Sequence, residues 1–372
     1  MFFIIYGITG VVPLIAAVYL LLRRGNAFAA DVTPPMRLRR WAASFFAVAS
    51  LGHVWWYLFL IYSGDIRSVC YVVVAVVDCI GMLTTMAGTL LAMLQDRKRP
   101  IWPVIAALAP YSVIAALHLV YPDDWSLYIA ITYILLLYAV FTVYMVFAVR
   151  RYGRWLNDNY ADLENKKVWL SQTVSLVCLL LFIFYALVDT ESILLYILHA
   201  IELLLFGLLL WRVETLPDLT PDNLTLEPFR GEEGSIYHSN GSATGELTTP
   251  LPTAGGAGAS DIELLLAEHC VGAQLYLQHD LTLLQLAQTI GINRFYLSQY
   301  FSRQGITYNA YINDLRINHF MSLYRKATSA QQSIVAQQLA SDSGYRSYST
   351  FSLAFKQRTG QSVTAWMRET AK

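Results

Sequence analysis

Two stretches near the C-terminus carry similar sets of hydrogen-bonding side chains. The first, QLAQTIGINRFYLSQYF, covers residues 285–301, and the second, QLASDSGYRSYSTFSLAF, covers residues 338–355. Their guanidinium, amide, hydroxyl and ammonium groups can donate hydrogen bonds to the polar edges and anionic groups of a ligand. The candidate binding residues are Asn293, Arg294, Tyr296, Ser298, Gln299 and Arg303 around the first stretch, and Arg346, Ser347, Tyr348, Ser349, Thr350, Ser352, Lys356 and Arg358 around the second.

The spacing of small and apolar residues predicts the helices that position these side chains. In each stretch a small Ala allows two helices to cross closely, and a Gly four residues later supplies the left-handed conformation that ends a helix. An apolar pair four residues apart then packs the second helix onto the first. Both stretches therefore predict a helix-turn-helix unit. The residues in this order are Ala287, Gly291, Leu297 and Phe301, and then Ala340, Gly344, Phe351 and Phe355.

Amphipathic periodicity extends the helical prediction on both sides of each unit. DIELLLAEHCVGAQLYLQ, residues 261–278, predicts a preceding helix. TYNAYINDLRINHFMSLYRKA, residues 307–327, predicts one continuous helix that joins the two units. The buried stripe expected on this joining helix is Tyr311, Ile312, Leu315, Ile317, Phe320 and Leu323.

Residues 261–370 closely resemble the AraC/XylS family of bacterial transcription regulators. The resemblance rests on YLSQYFSRQGITYNAYINDLRI, then GYRSYSTFSLAFKQRTG and the closing GQSVTAWMRE. The sequence departs from the family pattern at Val363, where the family usually has Pro, and at Ala336, where it usually has a larger apolar residue. Nothing in the N-terminal half resembles the usual ligand-binding domain of that family.

The resemblance implies double-stranded DNA as a partner, with the second helix of each unit entering successive major grooves. The first residues of each recognition helix are then placed to read base edges, and the later Arg and Lys to meet phosphates. Taken singly, each polar residue also fits an ordinary solvated face. Residues 261–372 hold 10 basic and 7 acidic residues, which predicts modest affinity, raised by local concentration or by self-association as a homodimer.

The rest of the chain has the composition of a membrane protein. Of 372 residues, 56% are apolar and 14% charged, and charged residues make up about a quarter of an ordinary soluble chain. We therefore predict an all-α fold, a seven-helix transmembrane bundle followed by a cytoplasmic two-unit helix-turn-helix domain, with the lipid bilayer as a further partner. Apolar runs of spanning length, about 20 residues, lie near 1–22, 41–63, 68–94, 101–121, 126–149, 168–188 and 192–211.

Basic residues in the short loops predict the orientation. With the N-terminus outside, the inner side collects 14 of the 15 Lys and Arg residues of positions 1–212, and the outer side keeps only Arg67. The odd number of spans then places the C-terminal domain in the cytoplasm, at the inner membrane. An A-x-A-like site at Ala27 and Ala29 allows a cleaved signal peptide as an alternative. We favour a retained first span because Arg23 and Arg24 follow the apolar run instead of preceding it.

A change in composition predicts the domain boundaries. Residues 213–260 are rich in Pro, Gly, Ser and Thr and hold 7 acidic residues against 1 basic residue, which is typical of a flexible linker. The expected organisation is a seven-span domain at 1–212, an acidic linker at 213–260 and an AraC-type DNA-binding domain at 261–372.

Ionisable residues within the apolar runs are candidates for signal sensing, because charge at membrane depth is costly. Asp78, His199 and Glu202 are the main candidates, with His53 and His118 beside them, and the signal is a small molecule or a protein. The alternative is that they satisfy one another between packed helices. No H-E-x-x-H or G-x-S-x-G string occurs, so we do not expect an enzyme; a transporter or membrane enzyme with an appended regulatory domain is the alternative.

The cysteines give no indication of a metal or disulfide framework. Cys70, Cys79, Cys178 and Cys270 form no CxxC pair and have no His-rich neighbourhood. We therefore expect neither a cofactor nor a metal.

The orientation can be tested with reporter fusions. We expect a reporter joined after Arg212 to lie in the cytoplasm, and a reporter joined at Asp123 to lie outside. Alkaline phosphatase and a fluorescent protein are each fused at both positions, and their activities are compared. An external signal after Arg212 would contradict the orientation and place the C-terminal domain away from DNA.

Overall fold

The computed structural model describes residues 2–61, 67–121, 124–185, 193–219, 259–333 and 335–370. Within these ranges the chain is helical and has no strand beyond one isolated antiparallel bridge between Tyr160 and Thr282. The all-α prediction is therefore confirmed. The ends of two predicted spans, at 62–63 and 186–188, and linker residues 220–258 lie outside the described residues.

The chain divides into two compact units. The N-terminal unit comprises residues 1–152 and 165–226, and the C-terminal unit comprises residues 153–164 and 227–372. The C-terminal unit therefore includes a short piece of chain from between the fifth and sixth predicted spans.

In the described residues before position 220 there are seven helices, several of them strongly apolar, and the last one continues into the first residues of the predicted linker. Their bounds are α1 Phe2–Leu22, α2 Met36–Ile61, α3 Arg67–Met93, α4 Trp102–Val120, α5 Asp124–Asn159, α6 Trp169–Tyr185 and α7 Ile193–Thr215. In the described residues, four helical stretches are long and apolar enough to cross a membrane: Ile4–Leu22, Val76–Met93, Trp125–Asn159 and Tyr196–Thr215. Trp102–His118 is a shorter apolar helix. The count of seven spans stays a prediction.

Close packing and one buried ion pair organise the N-terminal unit. A Cβ at Gly88 of α3 would stand 2.3 Å from the ring of Trp41 on α2, so the two helices meet without room for a side chain. At the end of α7, Glu214 is fully buried and its carboxylate lies 3.1 Å from the guanidinium of Arg23. Because a buried carboxylate needs a partner, this pair joins the chain after α1 to the end of α7.

The C-terminal unit is built from short helices. In order they are α8 Ala259–Leu265, which continues as a π-helical turn Leu266–Gly272 and a 3₁₀ turn Leu275–Leu277, then α9 Leu283–Thr289, α10 Arg294–Arg303, α11 Tyr308–Ser329, α12 Ala336–Asp342, α13 Tyr348–Thr359 and α14 Val363–Thr370. The pairs α9–α10 and α12–α13 are the two predicted helix-turn-helix units, and α11 is the predicted joining helix.

The first half of this unit packs around α9 and α10. Leu286, Leu297 and Phe301 are buried together with Ile312 of α11. Cys270 is buried in the same core, and burial raises the pKa of its thiol to about 11, so the group stays neutral at pH 7. This agrees with a packing role for that cysteine.

The second half packs around α12 and α13. Phe351 and Phe355 are buried against Phe320 of α11, with 4.4 Å between the ring centroids of Phe320 and Phe351. Val363, at the family's usual Pro position, is buried in this core. Of the stripe expected on α11, Ile312, Ile317 and Phe320 are buried, and Tyr311, Leu315 and Leu323 are partly buried.

A buried arginine on α11 joins the two halves. Nε of Arg316 donates to the carbonyl oxygen of Tyr276 at 2.7 Å, and a terminal nitrogen donates to that of Gln278 at 2.7 Å. The same guanidinium lies over the ring of Tyr345, 5.5 Å from its centroid, in the second unit. Burial lowers the pKa of Arg316, and the carbonyls and the ring compensate its charge.

The two helix-turn-helix turns have the same backbone bonds. Gly291 and Gly344 both adopt positive φ, at 73° and 88°. The residue after each Gly donates its backbone N–H to the small Ala of the preceding helix, Ile292 to Ala287 at 3.0 Å and Tyr345 to Ala340 at 3.2 Å. The repeated sequence therefore encodes a repeated helix ending.

Gly344 has an additional constraint that Gly291 lacks. A Cβ at Gly344 would stand 2.8 Å from the carbonyl oxygen of Leu277 and 3.1 Å from Nε of Arg316. At Gly291 no heavy atom of the described residues lies within 4 Å of such a Cβ. The second turn is therefore pressed against the first half of the unit.

The two glycines form a matched pair for a stability test. Gly291→Ala should lower the stability only by the cost of a left-handed Ala, about 1–2 kcal/mol. Gly344→Ala adds a clash with the backbone and should lower the stability by about 3 kcal/mol or more. Hydrogen exchange on the full-length protein measures both losses of stability. The readout is the free energy of local opening in the segments α9–α10 and α12–α13. Equal losses in the two variants would show that the second turn is not tightly packed.

Candidate nucleic-acid interface

The recognition helix of the first unit is α10. Asn293 caps it, since its side-chain oxygen accepts from the backbone N–H of Phe295 at 2.8 Å. Leu297 and Phe301 point into the core, so the candidate residues lie on the remaining faces. Asn293, Ser298, Gln299 and Arg303 are exposed, and Arg294 and Tyr296 are half-buried.

The recognition helix of the second unit is α13. Ser347 caps it by accepting from the backbone N–H of Thr350 at 3.3 Å, and Phe351 and Phe355 face the core. Arg346, Ser349, Lys356 and Arg358 are exposed, and Ser347, Tyr348, Thr350 and Ser352 are half-buried. The candidate residues thus occupy the faces of each recognition helix that the core pair leaves free, and Tyr296 and Tyr348 also pack against the cores.

Arg346 lies just before the second recognition helix. Helix α13 starts at Tyr348, so Arg346 lies in the turn before the cap. Its guanidinium pairs with the carboxylate of Asp280 at 2.6 Å, and both side chains are substantially exposed. Arg358 pairs in the same way with exposed Asp314. Exposed pairs of this kind contribute little to stability, so DNA phosphates or base edges can replace them.

Two apolar residues on the recognition helices were missed by the sequence analysis. Phe295 on α10 is 66% exposed and Leu353 on α13 is 54% exposed. Neither residue belongs to the apolar pair, four residues apart, that packs its helix into the core. An apolar residue outside that pair is the sequence signal that could have identified both. Apolar side chains at such positions can contact the methyl group of thymine.

The residues 159–164, here called the loop segment, contact both halves of the C-terminal unit. The backbone N–H of Ala161 donates to the carbonyl of Leu281 at 3.1 Å, and Ala161 itself is buried in the first core. The side-chain amide of Asn309 donates to the carbonyls of Tyr160 at 3.1 Å and Ala161 at 2.7 Å. The loop segment is therefore an integral part of this unit.

Two side chains of the loop segment bind candidate DNA-reading residues. The side-chain oxygen of Asn159 accepts from the guanidinium of Arg294, the first residue of α10. The carboxylate of Glu164 accepts from the hydroxyl of Thr350, at the start of α13, at 3.1 Å. These residues lie between the apolar runs 126–149 and 168–188, and nothing in the local sequence indicates partners so distant in the chain.

The sensing candidates lie in the N-terminal unit. His199 and Glu202 are together on α7, with Nδ1 of the imidazole 3.3 Å from a carboxylate oxygen. His53 of α2 joins them, while the carboxylate of Asp78 packs against Gly52. A cavity of about 500 Å³ in this unit is lined by residues of α3, α4 and α5 and the chain between α3 and α4, and none of these candidates lines it.

Residues 286–369 match the family model described as a helix-turn-helix domain, which is of the AraC type. This match confirms the resemblance to the AraC/XylS regulators for the C-terminal part of the chain, where α9–α10 and α12–α13 form the two units. The comparison with curated proteins and with solved structures gives no match. The AraC-type domain indicates a role in DNA binding and transcription regulation.

Proposed function

We propose that the protein is a membrane-anchored transcription regulator that binds DNA sequence-specifically through α10 and α13. The observation that carries the proposal is the repeated helix-turn-helix geometry within the AraC-type match, with a polar, accessible side on both recognition helices. Such helices place their N-terminal residues at base edges in the major groove.

The candidate residues divide by position into readers and anchors. Residues near the start of each helix, such as Arg294 and Thr350, and Arg346 in the turn, are placed for base edges. Arg303 near the end of α10, and Lys356 and Arg358 near the end of α13, are placed for phosphates. Since α11 and Arg316 hold the two halves together, the two helices present their readers as one rigid pair.

The membrane part of the proposal rests on composition and charge. In the described residues, four helices are long and apolar enough to span, and together with the basic asymmetry of the loops they support an inner-membrane anchor with the C-terminal domain in the cytoplasm. The count of seven spans rests on the apolar runs of the sequence. The charged and polar residues within the anchor are then the candidates for signal reception.

The loop segment supports regulation of DNA binding. Asn159 and Glu164 bind one residue at the start of each recognition helix, so DNA must displace both bonds to reach Arg294 and Thr350. Asp162 and Glu164 also add negative charge there, which opposes phosphates. The segment begins at Asn159, the last residue of α5, so a change in α5 reaches it through the continuous backbone. In this proposal the signal acts by releasing the loop segment.

A comparison of Arg346→Ala with Lys356→Ala tests DNA reading. Loss of a base-reading guanidinium should cost about 1–3 kcal/mol on the specific site and relax the preference at one base pair. Loss of a phosphate contact should weaken specific and scrambled duplexes alike and lower the salt slope by about one unit. Fluorescence anisotropy on the full-length protein in detergent, at several salt concentrations, measures both.

Each outcome of the DNA titration has a defined meaning. Equal losses for Arg346→Ala on both duplexes would show that the reading residues are assigned wrongly. A wild-type protein that prefers no duplex selected from its own genome would remove the main support for the regulator.

Glu164→Ala tests the loop segment against the matched control Asp158→Ala. Each variant removes one negative charge from the same stretch of chain. Asp158 is exposed, and of these two residues only Glu164 binds a recognition helix. Since the bond to Thr350 competes with DNA, Glu164→Ala should tighten specific binding by about 3- to 10-fold, and Asp158→Ala should change it little. Weaker binding in Glu164→Ala, or equal gains in both variants, would contradict the regulatory role.

A further inference from the structure

Three ligating side chains converge inside the N-terminal unit. His53 comes from α2, and His199 and Glu202 come from one face of α7. One ligand atom from each residue lies within 4.8 Å of the other two. A carboxylate oxygen of Glu202 stands 3.3 Å from Nδ1 of His199 and 4.0 Å from Nε2 of His53.

A hydrogen bond fixes which nitrogen of His53 faces this cluster. Nδ1 of His53 lies 2.8 Å from the carbonyl oxygen of Ala49. A carbonyl only accepts, so Nδ1 carries the proton, and in the neutral ring Nε2 presents its lone pair. That lone pair faces the Glu202 carboxylate, and two acceptors repel one another unless a metal ion or a proton lies between them.

The two separations from the Glu202 carboxylate fit a metal ion, and the 3.3 Å separation from His199 is also a hydrogen-bond distance. Nitrogen and carboxylate ligands bind Zn²⁺ at about 2.0–2.2 Å, which sets tetrahedral ligand atoms about 3.3–3.6 Å apart. The separations of 3.3 Å and 4.0 Å lie close to this range. A hydrogen bond does not reach across 4.0 Å. The backbone carbonyl behind His53 is the second partner that metal-binding histidines usually have.

The surroundings hold the two imidazoles in place. The ring of Tyr6 on α1 packs against both, with centroid distances of 5.0 Å to His53 and 5.7 Å to His199. The Tyr6 hydroxyl donates to the backbone carbonyl of His53 at 2.9 Å. A Cβ at Gly10 would stand 3.2 Å from Cβ of His53, so α1 approaches closely there. The ligands are thus positioned by three helices.

We propose that His53, His199 and Glu202 bind a divalent transition-metal ion of the zinc type. Two imidazoles and one carboxylate are a donor set that suits Zn²⁺ and leaves a further coordination position open. The side chain of His199 is buried, and that of Glu202 is 25% exposed, which leaves a side for ion entry. The claim that the ion is the regulatory signal rests on the proposed function. The claim that the ion binds to this site does not.

Metal binding is measured directly on the purified full-length protein. The protein in detergent is stripped with a chelator and titrated with Co²⁺, whose visible absorbance reports coordination, and the Co²⁺ is then displaced with Zn²⁺. We expect one Co²⁺ per chain in the wild type. Glu202→Gln and His53→Gln should each weaken binding by about 100-fold or more, since even outer partners of a metal contribute about 10- to 100-fold.

His118→Gln is the matched control. His118 is another histidine of the N-terminal unit, paired with the hydroxyl of Ser126 at 2.6 Å, and its loss should leave the titration unchanged. Gel filtration of each variant establishes that it is folded. Absence of stoichiometric binding to the wild type, or wild-type binding in both folded ligand variants, would overturn the site.

A parallel DNA titration separates the two proposals. Metal binding without any duplex preference would leave the metal site standing while the proposed function fails. Duplex preference without metal binding would retain the regulator and overturn the metal site.

Discussion

A single buried guanidinium sets the geometry of the C-terminal unit. Arg316 donates to two carbonyls of the first half, those of Tyr276 and Gln278, and stacks on Tyr345 of the second. A buried charge is tolerated only where hydrogen-bond partners and nearby groups compensate it, which restricts how the groups around Arg316 can be arranged. This arrangement constrains the spacing between α10 and α13, the two helices that the proposed function assigns to DNA reading.

Features with a local cause could be predicted from the sequence. The Ala and Gly of each repeated stretch, followed by apolar residues four apart, predicted the two helix-turn-helix units, and the period of residues 307–327 predicted α11. These patterns depend on residues within one or two helical turns of each other. The faces of the candidate residues followed for the same reason, because core positions such as Leu297 and Phe351 leave the other faces accessible.

Features made by distant residues could not be predicted. Arg316 looked like an ordinary polar position on an amphipathic helix, and only the chain at 276–278 and at Tyr345 explains its burial. His53 gave no motif with His199 and Glu202 because the ligands come from two helices far apart in the sequence. The turn of the second unit has one more residue between its Gly and its helix cap than the turn of the first unit. Arg346 therefore precedes α13.

The position of Ala161 bears on how the C-terminal unit could be separated from the rest of the chain. This residue is buried in the core of the first helix-turn-helix half, yet it precedes α6 and α7 in the chain. A protease that cut between residues 219 and 259 would liberate a fragment without this part of its own hydrophobic interior. The C-terminal unit with its complete core therefore remains covalently joined to the N-terminal helices. In the proposed function, the DNA that this unit binds must then lie close to the membrane.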